Sequence, residues 1–147
     1  MNGRRRDQRG SALVELTWLG ILLLVPVLWI VLTVFEVQKG AFATSGAARA
    51  AGRAYALAPD DATGHARAEA AARRALADQG VEGQPLRLTV SCEPSPANCH
   101  ESGSVVTLVI HSRVDVPLLP DVLGGGAPSI ALDARHTVPI GQFRESE

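Results

Sequence analysis

The sequence carries almost no excess charge of either sign. Over 147 residues, 14 basic side chains face 15 acidic ones, a formal net charge of −1. No general electrostatic attraction to nucleic acid follows from that balance. The chain also lacks a Gly-rich phosphate loop, a nucleophile elbow and a helix with paired histidines. Gly124-Gly125-Gly126 has no flanking strand and helix to make it a phosphate cradle, so it reads as a flexible loop. Ser, His and Asp occur, but no spacing assembles them into a triad. Nothing here calls for a cofactor, and the chain reads as a non-enzyme. Cysteine is scarce as well, with Cys92 and Cys99 alone. His100 adjoins Cys99, yet no second close Cys or His pair completes four ligands, which argues against a metal centre.

What the chain does have is one long apolar run. From Leu16 to Phe35 no residue is charged. At about 1.5 Å per residue a helix over those twenty positions spans roughly 30 Å, the thickness of a bilayer's hydrocarbon core. Arg4, Arg5, Arg6 and Arg9 precede the run and only Asp7 opposes them. Positive charge marks the cytoplasmic flank, so a single-pass membrane protein is expected, with its N-terminus inside and its C-terminal part outside. In an oxidising outer compartment Cys92 and Cys99 read by default as a disulfide, the alternative being two free thiols. Closing an eight-residue loop is worth roughly 2–3 kcal/mol in the chain-entropy model.

The entrance to the run has a pattern of its own. Gly10 ends the basic leader, Ser11 follows, and Glu15 is the fifth residue counted from Ser11. Ala41-Phe42-Ala43 could serve a secretory signal peptidase, but the apolar run is much longer than such signals use. A carboxylate near a membrane interface costs less than one at mid-depth and is favoured at a helix N-terminus. Pro26 removes a backbone donor and is expected to kink the helix or unwind a turn. Such a break is tolerated where neighbouring helices or side chains cover the freed carbonyl.

These residues resemble the processing site of type IV prepilins, cut after Gly by a membrane aspartyl peptidase to leave Glu at the fifth mature position. Pro26, Glu36 and the small-residue, Arg-dotted stretch Ala41–Ala58 extend the resemblance to the TadE-like pilin-like proteins of the tight-adherence (Tad) system. Leu16 departs from the pattern, since an aromatic often follows that Glu. The resemblance is good from Arg9 to about Ala58 and only general beyond. It implies processing after Gly10 by a prepilin peptidase and a role as a minor pilin or pseudopilin. It further implies that Glu15 pairs with a neighbouring subunit's new α-amine, and that other pilin subunits and membrane lipid are the partners of the N-terminal helix. After assembly the chain would lie in a pilus or at the cell surface.

Beyond the run, residues 41–77 hold seventeen alanines. Ala43, Gly46, Ala47, Ala50, Ala51 and Ala54 recur three or four apart, a face that lets helix backbones approach closely. Lateral packing against other helices and plain helix propensity both account for it. Ala58-Pro59-Asp60-Asp61 is a break with N-cap residues, and a second helix follows from about Asp61 to Gln79, stopping at Gly80. Its apolar stripe is Ala68, Ala71, Ala72, Ala75 and Leu76, while His65 reads as a solvated residue. Three alternating segments follow, Leu86–Cys92, Val106–Val116 and Ile130–Val138, and predict a small antiparallel sheet with one buried face. His111 and His136 fall within it with no acidic partner at a defined spacing. With the second helix as the sheet's only evident cover, the fold class is α+β.

The expected organisation is a leader at 1–10, a transmembrane helix at 11–36, an Ala-rich stalk at 37–58 and an outward α+β head at 59–147. The other functional reading is an uncleaved, membrane-anchored envelope protein whose head binds a partner.

Overall fold

The computed structural model describes the backbone of residues 9–115 and 129–141, and side chains from Ala12 onward within those ranges. The basic leader up to residue 8, the Pro- and Gly-rich loop at 116–128 and the tail after Gly141 lie outside the described residues. Among the described residues five elements follow in order: α1 (Arg9–Ala56), α2 (Asp61–Asp78), β1 (Arg87–Glu93), β2 (Val105–Asp115) and β3 (Ser129–Pro139). The strands form one antiparallel sheet in the order β1-β2-β3. The α+β layout is therefore as the alternation and the helix signals predicted.

Two compact units divide the chain between Phe35 and Glu36. In the first, α1 covers residues that are almost entirely uncharged and outward-facing. None from Ala12 to Phe35 is buried, and only Trp29 and Thr33 are half-buried. Its best 18-residue window has a mean hydropathy of 2.6, long and apolar enough to cross a membrane. Thr17 and Thr33 donate their hydroxyls to the carbonyls of Leu13 and Trp29, at 2.8 and 2.9 Å. Those hydroxyls therefore need no water, which suits a helix in hydrocarbon. Pro26 lies inside α1, and helical residues continue without interruption on both sides of it.

The second unit holds the core. Its sheet alternates cleanly: Val106, Leu108, Ile110, Ser112 and Val114 of β2 are buried, while their neighbours turn outward. The register aligns Leu88 with Ile110 and Ala134, and Val90 with Leu108 and His136, so each strand adds to the same face. The sequence named α2 as the cover for that face. The C-terminal part of α1 shares that role and lies directly on it, while α2 joins the same core through Ala68, Ala72 and Leu76. A Cβ at Gly40 would collide with Val114 and stand 2.9 Å from Leu132 Cδ1. One at Gly52 would stand 2.7 Å from His136 Cδ2 and 2.9 Å from Val138 Cγ2. Helix and sheet can approach this closely because α1 offers glycines where β2 and β3 offer branched side chains.

Ala43, Ala47, Ala48, Ala51 and Tyr55 of α1 join Ala68, Ala72 and Leu76 of α2 and Val106, Leu108 and Ile110 of β2 in one core cluster. Ala43, Ala47 and Ala51 of the stalk's small-residue face are thus taken up by the protein's own core while Gly46 stays open, and residues 37–58 belong to the same compact unit as the head. Tyr55 and Leu76 supply bulk that the alanines lack. The two helices run antiparallel. Tyr55 meets the start of α2 at Asp61, and Lys39 Nζ donates to the carbonyl of Gly80 just beyond its end, at 3.3 Å. A cation at a helix C-terminus is favourably placed.

Both ends of α2 are closed by its own sequence. Asp60 is the N-cap, accepting at 2.8 Å from the Thr63 N–H and at 2.9 Å from its hydroxyl. Gly80, at φ +65°, supplies the left-handed turn that ends the helix. A surface ion pair, Arg73 to Glu69 at 2.6 Å, adds little because both side chains are half or more exposed.

Candidate functional site

The residues singled out for processing lie in the first described turns of α1. The backbone of Gly10 and Ser11 is helical, and Glu15 is exposed one turn further on. The alternative cleavage point after Ala43 is placed quite differently. Ala43 and Thr44 are 0% and 2% exposed in the core of the second unit, so a cut there would sever α1 inside its own packing.

In the second unit the polar groups converge on one corner, where α1 ends, α2 begins and the β1–β2 connection returns. Cys92 and Cys99 are joined there, with Cα atoms 5.4 Å apart. The bond brings residues 99 and 100 against Asp61. Asp61 Oδ2 accepts from the Cys99 N–H at 3.2 Å, and Oδ1 accepts from the Tyr55 hydroxyl at 3.0 Å. His100 Nδ1 also meets Oδ1, while Nε2 lies 3.0 Å from the Tyr55 carbonyl oxygen. A carbonyl only accepts, so Nε2 donates to it.

The rings complete the corner. Tyr55 is fully buried, with the His100 ring stacked on it at 4.9 Å and the His65 ring edge-on at 5.5 Å. Gly64 leaves room for this, since a Cβ there would stand 3.0 Å from the tyrosine ring and 3.1 Å from His100 Cε1. Burial, aided by the hydrogen bond and charge of Asp61, pushes the Tyr55 phenol well above its ordinary value. For Asp61, burial acts upward, but hydrogen bonds from His100, the Cys99 N–H and Tyr55 outweigh it and leave the carboxyl below its usual range.

This corner binds the fold together. Both cysteines are consumed in the disulfide, and both ring nitrogens of His100 are engaged. Among the described residues no group of three or more His, Cys, Asp or Glu is placed to hold a metal. The sequence had passed over Tyr55 altogether. It had set aside His100 as a neighbour of Cys99 and read His65 as solvated, whereas the ring of His65, though exposed, touches Tyr55. His111 does have an acidic partner: the register sets it opposite Asp133, with Nδ1 2.7 Å from Oδ1 on the outward face of the sheet. His136 is half-buried where α1 passes at Gly52.

Comparison with protein-family models, with curated proteins and with solved structures finds no match. The residues and their geometry therefore carry the functional argument by themselves.

Proposed function

We propose that the chain is a TadE-like, pilin-like membrane protein that takes part in Tad-type pilus assembly as a minor pilin or pseudopilin. A prepilin peptidase removes residues 1–10, α1 stores the subunit in the membrane, and the disulfide-bonded head faces outward. The observation that carries this reading is the order of four features: basic residues, Gly10-Ser11, Glu15 at the fifth position, and an apolar helix with no buried residue up to Phe35. An apolar helical stretch left largely exposed by its own fold needs another apolar environment. Lipid supplies one, and a bundle of neighbouring helices supplies a second.

The occupied stalk face refines the proposal. Ala43, Ala47 and Ala51 are committed to the chain's own sheet, so contact with other pilin helices falls to residues before Glu36 and to the outward side of α1. N-terminal sequencing of the mature protein is the test. A start at Ser11 supports the proposal, and Gly10→Ala should abolish that start. Retention of residues 1–10 would instead favour an uncleaved, membrane-anchored envelope protein with a binding head.

A further inference from the structure

We propose that the Cys92–Cys99 bond is a redox-operated clasp on the corner where α1 meets α2. Intact, it holds the corner on the sheet; reduced, it frees the corner while the sheet stays formed. The hairpin does not need the bond for its own pairing. β1 and β2 are in register over seven pairs, from Arg87–His111 to Glu93–Val105. The far end of the β1–β2 connection is held separately, by a turn of its own, Ser104 N–H to the Glu101 carbonyl at 3.0 Å, and by Ile140 N–H, just after β3, to the Ser104 carbonyl at 2.7 Å. What the bond fixes is the position of residues 99 and 100.

Those two residues make the corner's long-range contacts. The Cys99 N–H and His100 Nδ1 are two of the three groups that meet Asp61, and His100 Nε2 joins the Ala58 N–H on the Tyr55 carbonyl while its ring stacks on the tyrosine's. They lie 38 to 45 positions from their partners in sequence, so only tertiary structure keeps them there. A dithiol gives two electrons and two protons to the Sγ–Sγ bond, leaving two thiols and closing into a disulfide itself. Once residues 99 and 100 are no longer pinned, Asp61 keeps the Tyr55 hydroxyl alone. Tyr55 then loses its stacked ring, and the start of α2 loses its tie to the sheet.

The test is hydrogen exchange on the full-length protein in detergent micelles, before and after dithiothreitol, with thiol alkylation and mass measurement to establish reduction. Amides of residues 53–66 should exchange at least tenfold faster after reduction, while those of 106–110 in the central strand stay within about twofold. His100→Ala, with the disulfide intact, should speed residues 53–66 in the same way, and reduction should then add little. Three results overturn the proposal. One is unchanged exchange at 53–66 in reduced protein, which makes the bond a staple of its own loop. Another is equal acceleration at 53–66 and 106–110, which makes it a general stabiliser. The last is a bond that dithiol cannot reach until the whole unit unfolds.

Discussion

At the level of single residues, Asp61 is asked to do the most. It opens α2, accepts from α1, and receives the disulfide loop, all through one carboxylate. Its depressed folded value, like that of the N-cap Asp60, links stability to pH in a definite direction. The contribution is full above the unfolded carboxyl value of about 4 and fades as pH falls through the folded one. Thermal melts of the wild type should therefore weaken below about pH 4. Asp61→Asn should be less stable at neutral pH and show a shallower acid decline. Tyr55 works with the opposite sign. Its neutral phenol is favoured in the fold, so its contribution is complete below about pH 10 and is lost as pH rises beyond that. It is the only tyrosine in the chain, so absorbance near 295 nm reports it alone. The native protein should ionise at markedly higher pH than unfolded chain, and Tyr55→Phe should lose roughly 1–2 kcal/mol with the hydroxyl's bond.

Among elements, α1 shows how one helix can have two solvents. Its first part exposes Leu, Ile, Val and Trp on every side, and its last five turns hide glycine and alanine against a sheet. Two glycines in those turns make the difference measurable. In an ordinary helix interior Gly→Ala gains about 0.5–1 kcal/mol. Gly46 has nothing within 4 Å of a new Cβ, so Gly46→Ala should gain that amount. At Gly52 the new Cβ meets the branched Val138 at 2.9 Å, and Gly52→Ala should lose about 1–3 kcal/mol instead. Denaturant unfolding of the two variants gives the comparison.

Element boundaries were readable because local chemistry sets them. Asp60 caps, Gly80 stops, and the strands alternate with period two, so α2 and all three strands lie within about a residue of where the sequence put them. The disulfide followed from compartment and spacing. The part α1 plays in covering the sheet did not, because an alanine face looks the same whether it meets another subunit or its own strands. The corner was equally hidden, since Tyr55, Asp61 and His100 carry no common spacing and meet only after β1 and β2 have folded back on the helices.

For the whole molecule, the division between Phe35 and Glu36 separates two ways of satisfying apolar surface. Each residue of the core cluster lies at position 43 or later, and none comes from the apolar part of α1. The second unit also keeps both ends of α2, the disulfide and the complete sheet. Its fold should therefore not depend on the membrane segment. A chain starting at Glu36 has lost the run with a mean hydropathy of 2.6 and with it the reason to enter detergent or lipid. Expressed in an oxidising compartment, residues 36–147 should be soluble without detergent and monomeric by sedimentation. Hydrogen exchange at residues 106–110 should match that of the full-length protein in micelles. The loss expected is confined to the frayed first turn of the shortened helix, near Glu36 and Lys39, where the Lys39 contact with Gly80 would weaken. Aggregation, or loss of protection in the central strand, would mean that the apolar helix contributes to the fold as well as to its placement.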